Sequence, residues 1–196
     1  MTPRASRHGK CAARSSQCGA TLIEVLISVV ILLVALLGTA GLIARSSQSE
    51  MESYQRVQAL TLLQDMAARL NGNRQAAPCY ASGTIITTAG SASVAPPACA
   101  IGTAAQVAIA NADLAAWGTE LLGSAEISGG KAVGAMIGAL GCIEAIDAAN
   151  QIYRITVAWQ GLAKTAAPAL PCGSGQFGDD ANRRAVSIQV RIGVLS

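Results

Sequence analysis

The chain opens with polar and basic positions through residue 19. It then runs in apolar residues from Ala20 to Ala44, with Glu24 as the one charge in that stretch. As an α-helix, residues 20–44 reach roughly 37 Å, enough to cross a hydrocarbon layer of roughly 30 Å. The pattern then changes rather than ends. Pro is absent from residues 20–77 and helix formers dominate 50–70. Tyr54, Val57, Leu60, Leu63 or Gln64, and Ala67 or Leu70 recur at helical spacing, which predicts an inward face. Glu52–Arg56 and Asp65–Arg69 place an acid one turn before a base, the favourable order. Asn71-Gly72-Asn73 reads as the stop. One helix of about fifty residues, roughly 75 Å long, is expected, apolar all round in its first half and amphipathic in its second.

Beyond it, residues 74–106 read as a loop rich in Pro, Gly, Ser and Thr, with Thr84–Thr88 as a short strand. Residues 111–122 predict a second helix, capped by Asn111 or Asp113 and ended by Gly123. One or two strands are placed in the Gly- and Ala-rich stretch 129–146. Residues 152–160 alternate, with Tyr153, Ile155, Val157 and Trp159 on one face, and residues 185–194 do the same with Val186, Ile188, Val190, Ile192 and Val194. A Pro- and Gly-containing loop joins these two strands. The expected fold class is α+β: a long N-terminal helix, and a small antiparallel sheet packed on its second half. The divisions are 1–19, 20–44, 45–73 and a globular part, 74–196.

Composition sharpens this outline. With 196 residues, 52% hydrophobic and 13% charged, the chain is long enough for one domain with an appended helix and too apolar for a disordered chain. Its net charge of +3 misleads until it is located, because Arg4, Arg7, Lys10 and Arg14 stand in the tail with no acid beside them. Basic residues flanking one end of a membrane-length run keep that end in the cytoplasm. No dense basic face suggests a specific nucleic-acid partner. The one histidine, His8, lies in the tail, so no His-based triad or metal site is expected in the globular part, and no catalysis, metal or cofactor is expected.

The segment Gly19-Ala20-Thr21-Leu22-Ile23-Glu24, behind a basic leader and before an apolar helix, resembles the type IV prepilin processing signal. The resemblance implies the type IV pilin fold. It also implies that prepilin peptidase cuts between Gly19 and Ala20 and that Ala20 is then N-methylated. It gives Glu24 a role in filament assembly, pairing with the N-terminal amine of a neighbouring subunit. A lone carboxylate in an apolar run is costly and usually functional. The family's first mature residue is most often Phe, and here it is Ala20.

Further along, Tyr54-Gln55-Arg56, Asp65-Met66-Ala67-Ala68-Arg69-Leu70, Asn73-Arg74-Gln75-Ala76-Ala77, the segment around Trp117, the strand Tyr153 to Gln160 and the stretch from Cys172 to Arg184 are similar to the minor-pilin family PilV, the type IV pilus modification protein. This implies a minor subunit of a type IV pilus that promotes assembly and takes part in adhesion or twitching motility. Its partners would be major and minor pilins, prepilin peptidase, the inner membrane and the pilus assembly machinery. It would span the inner membrane once before entering the extracellular filament. A minor pseudopilin of a type II secretion system shares these features, and an uncleaved membrane-anchored receptor, for example for DNA uptake, is a third possibility.

Cys79, Cys99, Cys142 and Cys172 allow three disulfide pairings. Pairing of chain neighbours, Cys79–Cys99 and Cys142–Cys172, is the expectation; the spacing does not suit zinc. Cys11 and Cys18 read as incidental thiols in the tail. Gly173-x-Gly175 reads as a turn, Asp179-Asp180 with Asn182 as a solvated loop rather than a calcium site, Trp117 and Trp159 as core, and Arg183 and Arg184 as solvated charges at a strand end.

Overall fold

The computed structural model describes residues 19, 21–87, 99–123, 127–128, 131–132 and 136–193. The chain divides into two units, residues 1–45 and 46–196. Helix α1 is Leu22–Gly72.

In the first unit, α1 starts after Thr21, whose hydroxyl accepts the Glu24 amide at 3.4 Å. The helix carries an acid in its first turn, where the dipole favours one. Residues 21–45 are exposed throughout. The hydroxyls of Ser28 and Thr39 donate back to the carbonyls of Glu24 and Leu36, at 2.7 and 2.9 Å. These two hydroxyls therefore satisfy themselves within the helix, as an apolar surrounding requires. The helix is long and apolar enough to cross a membrane.

In the second unit, α1 runs to Gly72, close to the expected stop. A 3-10 turn, Arg74–Ala76, and helix α2, Ala77–Tyr80, follow it, then strand β1, Ser82–Thr87. Helix α3 is Ala104–Leu121. Strands β2 (Ile127–Ser128) and β3 (Lys131–Ala132) form a small hairpin. Strands β4 (Ile137–Asp147), β5 (Ile152–Gln160) and β6 (Arg183–Arg191) join β1 in one sheet of order β1-β4-β5-β6, antiparallel throughout. The α+β class and the antiparallel sheet stand as expected.

The core lies between α1, α3 and one face of the sheet. Tyr153, Ile155, Val157 and Trp159 are buried on that face, with Val190 and Ile192 beside them. The expected inward stripe of α1 is corrected. Gln55, Ala59, Leu63, Met66 and Leu70 are buried, whereas Tyr54 and Val57 remain 54% and 61% exposed and Leu60 is also exposed. By the apolar area each could bury, Tyr54 and Val57 rank above Gln55 and Ala59. Packing reverses the order, because Ala59 occupies little space and the Gln55 Oε1 accepts the Trp159 indole N–H at 3.1 Å.

Strand β5 is covered on both sides. On its other face Ala158 packs with Leu140, Cys142 and Cys172, under the chain that leads to β6. The start of α3 is also corrected, from 111 to 104. Thr103 forms a full capping box with Gln106, a signal stronger than either Asn111 or Asp113. The reading of 74–106 as loop misses this cap, the turn and α2. Residue 88 of the expected Thr84–Thr88 strand lies outside the described residues.

Candidate functional site

In the first unit, Gly19 is exposed and precedes the helix, and Glu24 is exposed in the first turn of α1. Ala20 and the tail residues His8, Cys11 and Cys18 lie outside the described residues. Leu22, Ile23, Val25 and Leu26 surround Glu24 in sequence and expose their side chains. One carboxylate is thus displayed on an apolar helical surface, at the end of the segment that resembles the cleavage signal.

In the second unit the four cysteines form two disulfides. Cys79 joins Cys99 with 5.5 Å between Cα atoms, and Cys142 joins Cys172 with 5.9 Å. Both separations are ordinary for a disulfide. They are the pairings of chain neighbours. The first ties α2 to the segment before α3, and the second ties β4 to the chain before β6.

Two charged residues behave differently from expectation. Arg183 is 2% exposed, not solvated. Its guanidinium donates to the carbonyls of Pro168, Leu170 and Cys172 and to Asp180. A buried guanidinium needs this many acceptors, and the turn-rich chain before β6 offers carbonyls that no strand uses. Arg184 donates to Glu52 at 2.9 Å and to the Ala163 carbonyl. That bond takes Glu52 away from its expected partner, Arg56.

Asp179 accepts from Lys164 and from the Ala181 amide, and Asp180 accepts from Ser174, Gly175 and Arg183. The Arg183 bond, then those from Gly175 and Ser174, pull the Asp180 carboxyl down to about 2. These carboxylates are engaged by protein donors, and no cluster suited to a metal ion occurs among the described residues.

Sequence reasoning found Asp65–Arg69 but not the network it belongs to. Arg69 donates to Asp65 at 2.6 Å, to Glu120 at 2.8 Å and to Asp113 at 3.5 Å. Asp113 and Glu120 stand two helical turns apart on α3, and that spacing is the signal that marks one acidic face opposite Arg69.

Residues 14–40 match the family model for the prokaryotic N-terminal methylation motif, and residues 41–117 match the model for type IV pilin Tt1218. From residue 14 to residue 117 the chain is pilin-like. No curated protein and no solved structure matches it. The pilin-like segment contains Gly19, Ala20 and Glu24, all of α1, the Cys79–Cys99 bridge and α3 as far as Trp117. Strands β4, β5 and β6 lie beyond both matches. They complete the architecture of the type IV pilin fold, a long N-terminal helix with an antiparallel sheet packed on its second half. The pilin models describe structural subunits, and the methylation motif implies processing by a prepilin peptidase and partners that are themselves pilins.

Proposed function

We propose that this chain is a minor subunit of a type IV pilus. The observation that carries the reading is the match of residues 14–40 to the methylation motif together with an exposed apolar helix that bears one carboxylate, Glu24, in its first turn. Residues 1–19 are the leader, removed between Gly19 and Ala20, after which Ala20 is N-methylated. Residues 20–44 hold the subunit in the inner membrane with the basic end in the cytoplasm. On assembly the same residues pack among the helices of other pilins. Glu24 then offsets the positive amine of a neighbouring subunit, a pairing favoured where water is scarce. Residues 45–73 continue the helix into the globular part, residues 74–196. The likeness of its sequence to PilV supports a role in promoting assembly and in adhesion or twitching motility.

Intact mass after co-expression with a prepilin peptidase tests this, with Gly19→Ala as control. The expected result is loss of residues 1–19 and gain of one methyl group, both abolished in the control. Cleaved Glu24→Ala is then expected to remain in the membrane and to be absent from sheared filaments. An uncut wild-type chain, or full incorporation of Glu24→Ala, overturns the reading.

A further inference from the structure

The second unit contains an ion-pair network with more acid than base. Asp65 and Arg69 come from α1, and Asp113 and Glu120 from α3. Arg69 is the one cation these three carboxylates share among the described residues. Tyr80, from α2, donates its hydroxyl proton to Asp113 at 2.5 Å, and Asn73 donates to the Tyr80 oxygen at 3.3 Å. We propose that these residues form a proton-operated clamp, in which mild acid adds one proton at Glu120 and tightens the packing of α3 on α1.

The geometry decides where the proton goes. Asp65 has the shortest contact with Arg69, through Nε, and shares its helix. Asp113 has a neutral donor in Tyr80, so part of its need is met without Arg69. Glu120 takes Nη2 at 2.8 Å, on the same Nε–Nη2 edge of the guanidinium that Asp65 occupies, so the two carboxyl groups are held side by side. Two carboxylates that close cannot both ionise freely, and the more costly one binds a proton. Once protonated, Glu120 can donate to Asp65 instead of repelling it. Burial, and then the nearby Asp65 charge, raise the Glu120 carboxyl above its ordinary value of 4.5 in spite of Arg69. Tyr80 stays protonated and so remains a donor, because burial, then its bond to Asp113, raise its pKa above the ordinary tyrosine value.

Because the folded state holds the Glu120 proton more tightly than the unfolded state, stability rises as pH falls through the folded value. It stops rising below the ordinary glutamate value. The clamp belongs to unit 46–196 and stands whether or not the chain is processed.

The test is thermal unfolding of the full chain in an uncharged detergent, wild type against Glu120→Gln, from about pH 8 to about pH 5. Gln keeps the shape and removes the titration. The difference in Tm, wild type minus Glu120→Gln, is expected to rise toward acid. The Trp117 indole, which lies one turn from Glu120 and donates to the Leu62 carbonyl, should show the same pH midpoint in wild type and none in the variant. Parallel Tm profiles overturn the proposal. Should Glu120→Gln not fold, proton release by the wild type on unfolding just above the ordinary glutamate value supports the clamp, and proton uptake there overturns it.

Discussion

Gly141 sits on β4 opposite Val157, where a Cβ would overlap the Trp117 ring and crowd Leu121. The indole is fully buried and its N–H is bonded to Leu62, so it has no room to withdraw. Gly141→Ala is therefore expected to lower stability by about 1–3 kcal/mol through overpacking, measured as a fall in the denaturant midpoint with an unchanged slope. An unchanged midpoint would mean that α3 shifts as a body. Arg183 shows the same dependence on surroundings. Its position before an alternating strand says only that it is charged. Its burial follows from carbonyls at Pro168, Leu170 and Cys172, which converge on it only after the chain has folded. No local pattern carries that information.

Elements were legible wherever one period dominated. The helix through residues 22–72 and the strands at 152–160 and 183–191 have long, consistent patterns; the strand at 152–160 has the expected bounds, and the other two differ by a few residues at their ends, residue 194 of the expected last strand lying outside the described residues. What the pattern misjudged was which side of α1 faces inward, because Leu63 and Leu70 fit either stripe. Only the sheet, with Trp159 seeking an acceptor, selects the side that holds Gln55. The start of α3 was missed for a different reason. Thr103 and Gln106 form a capping box in a stretch whose composition resembles a loop. Thr103→Ala is expected to cost about 1 kcal/mol and Thr103→Ser far less, with faster hydrogen exchange confined to the first turn of α3. Equal exchange in both variants would show that the cap is dispensable. In the candidate site, Gly19-to-Glu24 was legible as a linear signal, whereas the Arg69 network was half legible, because its acids lie on two helices.

At the scale of the molecule, the globular unit depends on more than apolar burial. The two bridges have sequence separations of 20 and 30. Each restrains the unfolded chain by about 3 kcal/mol in the loop-entropy account. Reduction of both is expected to shift thermal unfolding of the full chain downward by more than 10 °C, roughly the sum of the two effects. A shift shared unequally, with Cys142→Ala plus Cys172→Ala nearly silent, would show that Arg183 alone holds the chain before β6.

The bridges also have a consequence for wear. Cys79–Cys99 encloses β1, and Cys142–Cys172 encloses β5 and the chain that follows it. A protease that cuts once inside either loop opens the backbone but releases no fragment, because the sulfur link still joins the two ends. A nicked molecule keeps its mass but for one added water, and separates into pieces only when a reductant is supplied.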